Sequence, residues 1–183
     1  LIGSRDLPKA QEIAVQLGLE SSSGMLNIDA AKTCEIACLT VPFAHQESTL
    51  LSIDNGLLNK IMIDATVPLM PPKVMRVQLP EVGSAALNAQ LILGENTTVV
   101  SAFQNISAEL LQTDAEIDCD VLVAGDLLDA RNIVIELAAD AGLTGWHAGP
   151  LCNSVAAEAL TSILIAINKK HSLAHSGIKV TGH

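Results

Sequence analysis

The sequence predicts an α/β fold in which helices cover both faces of a doubly wound, parallel sheet. Short apolar segments alternate with amphipathic ones along nearly all of the 183 residues, the order expected when each strand is followed by a helix. The composition supports the same class, because 49% of the residues are hydrophobic and only 2% are aromatic. A core with so few rings is built from Ala, Val, Ile and Leu, which are typical of strands buried on both faces.

The first half of the chain is predicted to contain four strands and four helices. In 7–17, apolar residues recur at three- and four-residue intervals, Pro8 occupies the first turn and Gly18 follows the last. Two apolar segments stop at a proline, Pro42 and Pro68, which cannot donate a hydrogen bond within a sheet. The predicted strands of this half are 1–3, 35–41, 60–67 and 98–103, and the predicted helices are 7–17, 27–33, 45–51 and 84–92.

The second half is richer in helix and is predicted to form a small C-terminal domain. The boundary falls after residue 107, so that the two parts are 1–107 and 108–183. Asp126 is predicted to cap a helix that runs to residue 141, and a long final helix follows Gly149 and Pro150. The other predicted elements are a short helix at 108–112, strands at 120–124 and 144–148, and irregular connections at 20–24 and 70–80.

The composition argues against several function classes. The formal net charge is −10, so the chain lacks the basic face that phosphate neutralisation requires, and nucleic acid is not an expected partner. The most apolar stretch, 151–167, is interrupted by Asn153 and Glu158, so it predicts a helix buried in protein and not a membrane span. The histidines and the acidic stretch 114–129 show no ligand spacing, so no metal site is expected. Because no secretory signal is visible, a cytoplasmic location is expected.

The opening residues 1–6, Leu-Ile-Gly-Ser-Arg-Asp, predict the end of a buried strand that runs into a helix. The sheet is therefore expected to begin at its second strand and to lack its first. No G-x-G-x-x-G occurs in the sequence, so the glycine-rich loop that binds the pyrophosphate in dinucleotide-binding sheets is also missing. The expectation is a partial dinucleotide site that keeps the contribution of the second strand.

Three residues with anion-binding side chains follow the first predicted strand. In open parallel sheets ligands bind outside the carboxyl ends of the strands. At the end of the second strand an acidic residue selects NAD, whereas an arginine accommodates the extra phosphate of NADP. Arg5 stands at this place, Ser4 adds a hydroxyl and Lys9 adds a charge one turn into the next helix. The same pattern also occurs in solvated loops, so on its own it leaves both interpretations open.

Two other strand ends carry the same Val-Pro pair. Val41-Pro42 and Val67-Pro68 either simply stop their strands or form an apolar wall beside a ribose and a nicotinamide. Hydride transfer between two cofactors uses the chemistry of the cofactors themselves. No residue is therefore assigned a catalytic role.

Eight segments along the chain carry a resemblance to a known family. They are G-S-R-D (3–6), L-T-V-P-F (39–43), I-D-A-T-V-P (63–68), V-V-S-A-F (99–103), D-C-D-V-L-V-A-G-D (118–126), A-G-P-L-x-N (148–153), E-A-L-T (158–161) and H-S-G-I-K-V-T-G (175–182). In this order they resemble the family of NADPH-dependent F420 reductases (8-hydroxy-5-deazaflavin:NADPH oxidoreductases). The resemblance implies a Rossmann domain with a small C-terminal part, and hydride transfer between NADPH and the deazaflavin coenzyme F420. It implies that Ser4, Arg5 and Lys9 hold the 2'-phosphate of NADP. It also places three residues along the dinucleotide toward the nicotinamide: Val41, Val67 and Ala108.

Two positions depart from the pattern of that family. Gln104 stands where members often carry His, and His147 where they often carry Asp. A second hypothesis is an NADPH-dependent flavin or ferric reductase that uses FMN or FAD, because the cytosolic domain of the STEAP metalloreductases is similar at the same strand ends. A third is a non-catalytic module that binds NADP or dimerises. The long apolar final helix predicts a homodimer.

Overall fold

The computed structural model describes residues 1–113 and 116–182, in which seven strands alternate with six α-helices. The strands are β1 (Ile2–Ser4), β2 (Gly24–Leu26), β3 (Ile36–Leu39), β4 (Ile61–Asp64), β5 (Thr98–Ser101), β6 (Asp120–Gly125) and β7 (Thr144–Gly149). The helices are α1 (Leu7–Gln16), α2 (Asn27–Thr33), α3 (Gln46–Ile53), α4 (Ala85–Leu93), α5 (Leu128–Asp140) and α6 (Ser154–His171). One sheet pairs β1 with β2, and the other has the order β3-β4-β5-β6-β7.

The central strands direct alternate side chains into two hydrophobic cores. Met62 on β4 and Val99 on β5 pack with side chains of α2, α3 and α4. The next residues, Ile63 and Val100, pack with side chains of α5. Because successive side chains of a strand point to opposite faces, helices cover both faces of the larger sheet. This is the doubly wound arrangement that the sequence predicts.

The two sheets are separated by a gap between β1 and β3. Residues of both strands, including Gly3 and Cys38, line a cavity of about 170 Å³ in this gap. No strand of the described residues lies between β1 and β3. In the classic doubly wound order, the first strand lies between the second and the fourth. The arrangement therefore matches the prediction of a sheet without its first strand.

The short strand β2 differs from the prediction of an irregular connection at 20–24. Its three residues pair in parallel with β1, from Ile2 opposite Gly24 to Ser4 opposite Leu26. At Gly24 a Cβ atom would lie 2.4 Å from the backbone of Ala10, so glycine allows α1 to pack directly on this strand. Three residues are too few to show an alternating apolar pattern, so the sequence did not predict this strand.

The prediction of an all-parallel sheet is wrong at one place, because β5 and β6 pair antiparallel. For two consecutive strands to pair in parallel, the chain must cross back to the opposite end of the strands, usually through an α-helix. Between β5 and β6 the described residues contain only a 3-10 turn, Leu110–Gln112. The chain therefore enters β6 at the same end of the sheet at which it leaves β5, and the two strands run antiparallel.

The prediction that Asp126 caps α5 is also wrong. This helix begins at Leu128, and the residue before it, Leu127, provides no side-chain cap. Instead, Asp126 Oδ1 accepts a hydrogen bond from the backbone N–H of Leu151 at 2.9 Å. The carboxylate thereby ties the turn before α6 to the end of β6.

The final helix, α6, is buried along one face only. Ala157, Glu158 and Leu164 face the protein, whereas Ile163 and Ile167 are exposed. The prediction of a buried helix is therefore correct for one face. By length and composition alone, Leu151–His171 is apolar enough to cross a bilayer, with a mean hydropathy of 1.4. The core helix of a soluble protein meets the same criterion, and 33% of this stretch is buried.

Candidate functional site

The carboxyl ends of β1 and β3 enclose a cavity of about 170 Å³. Ser4 and Arg5 line it from the β1 side, and Val41 and Pro42 line it from the β3 side. Four of the predicted binding residues therefore meet in one place. Lys9 lies one turn into α1 on the exposed surface and is not among the lining residues of this cavity. We call this cavity the phosphate cavity.

The turn from β1 into α1 leaves the guanidinium of Arg5 unpaired. Ser4 Oγ accepts a hydrogen bond from the backbone N–H of Asp6 at 3.1 Å. Asp6 is the N-cap of α1, and its Oδ1 accepts from the N–H of Lys9 at 3.2 Å. Arg5 is exposed and forms no ion pair with any described residue. Its N–H donors are therefore available to an anion such as a phosphate.

A buried hydrogen-bond network holds the turn that carries Val67 and Pro68 after β4. Asp64 is 1% exposed, and its Oδ1 accepts from the N–H of Thr66 at 2.8 Å. Gln46 Nε2 donates to Asp64 Oδ2 at 2.6 Å and to Thr66 Oγ1 at 3.0 Å. Burial raises the pKa of Asp64, against the lowering effect of these hydrogen bonds. The network fixes the Val-Pro turn at the carboxyl edge of the sheet.

A second buried carboxyl group, Glu158, joins α6 to the N-terminus of α4. It is 1% exposed and accepts hydrogen bonds from the backbone N–H groups of Ala85 at 2.6 Å and Ala86 at 3.1 Å. Beside it, Ser154 Oγ donates to Ser84 Oγ at 2.7 Å. Burial raises the pKa of Glu158 to about 7, although the two backbone hydrogen bonds lower it. The position of α6 therefore depends on a group that titrates near neutral pH.

A larger cavity, of about 340 Å³, lies beyond the carboxyl end of β5. Its walls come from three segments of the chain: 104–109, 161–168 on α6, and 174–176. Ala108, one of the predicted binding residues, lines this cavity and not the phosphate cavity. Val67 and Pro68 are among the lining residues of neither. We call this second space the β5 cavity.

Two residues that line the β5 cavity, Gln104 and Asn168, each carry a buried acceptor atom without a partner among the described residues. Gln104 Nε2 donates to the carbonyl of Asp64 and to Ser101 Oγ, both at 2.8 Å. Its Oε1 is buried and meets no donor among the described residues, and the same holds for Asn168 Oδ1. Buried polar atoms without a partner are rare and require an explanation.

A serine and a histidine 68 positions apart in the sequence meet in the β5 cavity. Ser107 Oγ lies 3.0 Å from His175 Nδ1. On the other side of the ring, Glu109 Oε2 lies 3.6 Å from His175 Nε2. Sequence reasoning missed this pair, because it examined histidines for metal-ligand spacing. The only signal in the sequence was the segment that begins at His175, which belongs to the family resemblance.

The segment that carries His175 is anchored on the start of β6. Ile178 accepts a hydrogen bond at its carbonyl from the N–H of Asp120 at 2.8 Å. Asp120 Oδ2 in turn accepts from the N–H of Val180 and from Nε1 of Trp146, both at 2.8 Å. At Gly177 a Cβ atom would lie 2.4 Å from Cys119 Sγ, so the segment packs closely against the sheet. These contacts fix the backbone on the C-terminal side of His175.

The two cavities lie along one edge of the molecule. Strands β3, β4 and β5 are parallel neighbours, so their carboxyl ends are adjacent. The phosphate cavity lies at the end of β3, the Val67 turn follows β4, and the β5 cavity follows β5. An elongated ligand along this edge would meet the unpaired guanidinium of Arg5 at one end and the β5 cavity at the other.

Comparison with known proteins identifies the family. No protein-family model matches the chain. Its sequence is 37% identical over 194 residues to the F420-dependent NADP reductase of Methanothermobacter thermautotrophicus, which covers 99% of this chain and 83% of that protein. The chain belongs to the F420-dependent NADP reductase family. The resemblance stated from the sequence segments is thereby confirmed.

Structural comparison places the fold of this F420-dependent NADP reductase family member among solved proteins. A crystal structure of an Arthrobacter sp. FB24 protein, described provisionally as an F420-dependent NADP reductase, superposes with a TM-score of 0.80. The match covers 98% of this chain and 87% of that one at 21% identity, so it concerns the fold alone. Metalloreductase STEAP3 of Rattus norvegicus is 30% identical over 153 residues, which is 83% of this chain but only 30% of that protein.

Proposed function

We propose that this chain transfers a hydride between NADPH and coenzyme F420. The observation that carries the proposal is the 37% identity to an F420-dependent NADP reductase over 99% of the chain. The site supports it at both ends, because an unpaired Arg5 lines the phosphate cavity and the β5 cavity of about 340 Å³ lies at the other end of the same row of strand ends. NADPH and F420 supply the redox chemistry, and the protein supplies binding and orientation.

Each predicted binding residue has a physical role in this proposal. Arg5 and Ser4 hold the 2'-phosphate by charge-assisted hydrogen bonds, and Lys9 adds attraction from the exposed surface. Val41 and Pro42 form an apolar wall that excludes water in the phosphate cavity, and Val67 and Pro68 lie on the turn between the two cavities. Ala108 borders the β5 cavity, where the nicotinamide and the deazaflavin ring meet.

The test is an absorbance assay of NADPH oxidation with F420, with FMN and with a ferric salt as separate acceptors. The proposal expects loss of the deazaflavin band in step with NADPH oxidation, and a slower reaction with the other acceptors. Oxidation with FMN or ferric ion alone would contradict it and favour a flavin or ferric reductase. NADPH binding in a 1:1 ratio without oxidation by any acceptor would indicate a non-catalytic module.

The flavin or ferric reductase is kept as a second candidate because of two observations. The chain matches STEAP3 at 30% identity over 83% of its own length. In addition, the net charge of −10 does not favour the anionic tail of F420. FMN or FAD would then occupy the β5 cavity in place of the deazaflavin.

We also propose a cytoplasmic homodimer that associates through α6. The exposed face of this helix carries Ile163, 45% exposed, and Ile167, 37% exposed. Apolar residues in such a row are typical of a dimer interface. The replacement of both by Glu is expected to halve the mass measured by sedimentation in the presence of NADPH, whereas a monomeric parent would contradict the proposal.

The division into 1–107 and 108–183 is proposed as a functional one, since the phosphate cavity lies in the first part and α6 in the second.

A further inference from the structure

The proposed reaction consumes a proton as well as a hydride. NADPH gives a hydride, which forms a new C–H bond on the deazaflavin ring and leaves NADP⁺. The two electrons make a ring nitrogen basic, and this nitrogen takes one proton to give the neutral reduced ring. The balanced equation is NADPH + F420 + H⁺ → NADP⁺ + reduced F420. A proton donor near the ring is therefore useful to the reaction, even though the hydride itself needs none.

The β5 cavity contains suitable groups for this step. Among its described lining residues, only Glu109 and His175 have ionisable side chains. Glu109 is 83% exposed at its side chain, whereas the His175 side chain is 28% exposed. Ser107 is half-buried, lines the same cavity, and stands within hydrogen-bond distance of His175 Nδ1. A serine hydroxyl both donates and accepts, so it can pass a proton from one partner to another.

The geometry points to a proton relay, in which His175 protonates the electron acceptor through the hydroxyl of Ser107. This inference rests on the proposed function, because it deepens the chemistry of the same site. The Nδ1–H bond of the imidazolium breaks as its proton moves to Ser107 Oγ. The Ser107 O–H bond breaks as its own proton moves to the ring nitrogen. Nε2 keeps its proton beside the exposed Glu109, and the vacated Nδ1 regains a proton from solvent once the reduced product has left.

The surroundings of His175 hold the ring in an orientation that suits this relay. Glu109 attracts Nε2–H, which leaves Nδ1 directed to Ser107. Two further titratable groups, Asp118 and Cys119, line a small adjoining cavity together with His175. Asp118 is paired with Lys179, and burial raises the pKa of the Cys119 thiol, which keeps it neutral. Among these groups, Glu109 is therefore the carboxylate whose charge acts on the His175 ring.

The test compares His175→Gln and Ser107→Ala with the parent, through initial rates of F420 reduction from pH 5 to 9. We expect kcat to fall about 10²-fold in both variants, the lower range for general acid catalysis. We expect the rate of the parent to fall as the pH rises and this dependence to be absent from His175→Gln. The dissociation constant for NADPH, measured by binding alone, should stay unchanged. His171→Gln is the matched control, because His171 is exposed at the end of α6 and lines neither cavity.

Two further measurements separate a relay from a structural role. Added imidazole should restore part of the rate of a His175→Ala variant, and Ser107→Thr, which keeps a hydroxyl, should retain more activity than Ser107→Ala. Parent activity with F420 combined with an unchanged rate and pH profile in His175→Gln would overturn the relay and leave the proposed function standing. A parent that reduces no acceptor would overturn the proposed function, and the relay with it.

Discussion

The phosphate cavity and the β5 cavity are built in opposite ways. The first is small, and its chief residues, Ser4 and Arg5, are neighbours in the sequence on an exposed turn. The second has about twice the volume and draws its walls from three segments, held by buried hydrogen bonds and by α6. In the proposed function, selection of NADP would depend on a local charge, whereas the acceptor site would depend on packing across 108–183. Single changes should affect one end without the other.

The largest effect is expected from Arg5→Gln. Loss of a charge-assisted contact is worth about 1.5–3 kcal/mol, so the affinity for NADPH should fall by roughly 10- to 100-fold. The affinity for NADH should not change, because NADH has no 2'-phosphate. Fluorescence titration with both nucleotides measures the two constants. Lys9→Gln serves as a comparison and should weaken NADPH binding less than Arg5→Gln, since Lys9 lies outside the cavity lining. Equal binding of NADH and NADPH by the parent would refute the assignment of Arg5 to the 2'-phosphate.

A smaller effect, on stability, is expected at the other end from Glu158→Gln. Because the pKa of Glu158 is raised from 4.5 to about 7, the folded chain binds more protons than the unfolded chain between these values. The free energy of unfolding should therefore fall as the pH rises, by about 2 kcal/mol from pH 5 to 8 for this group. Denaturant unfolding at both pH values measures the loss. The variant should lose most of this slope and keep the part due to Asp64, whose pKa burial also raises; an unchanged slope would contradict the prediction.

The smallest effect is expected from Gly177→Ala, which acts on the anchor of His175. The added methyl group would lie 2.4 Å from Cys119 Sγ, so the segment must shift, at a cost of about 1 kcal/mol. We expect slower turnover with an unchanged affinity for NADPH. The control is Gly182→Ala, because a Cβ atom at that position meets nothing within 4 Å. Equal turnover in the two variants would show that the segment tolerates displacement.

The difference between the two ends also explains what the sequence can predict. The position of Arg5 beside a cavity was predictable because strand end, anion-binding residues and helix start are consecutive, and α2 was predicted with its observed bounds, Asn27–Thr33. The contact between Ser107 and His175 was not predictable, because no pattern of neighbouring residues connects them. Only the packing of the C-terminal segment brings them together. The same holds for Asp126, whose partner is the N–H of Leu151 and not its own helix. Contacts distant in sequence need the tertiary structure.

The contact between Trp146 and Asp120 has a practical consequence. The chain contains one tryptophan and no tyrosine, so its ultraviolet emission comes almost wholly from a single indole. That indole shares the carboxylate of Asp120 with Val180, in the segment that follows His175. Release of this segment would break the shared contact and change the emission of Trp146. The protein thus carries an intrinsic optical probe for the docking of its own C-terminal tail, which can be followed without any label.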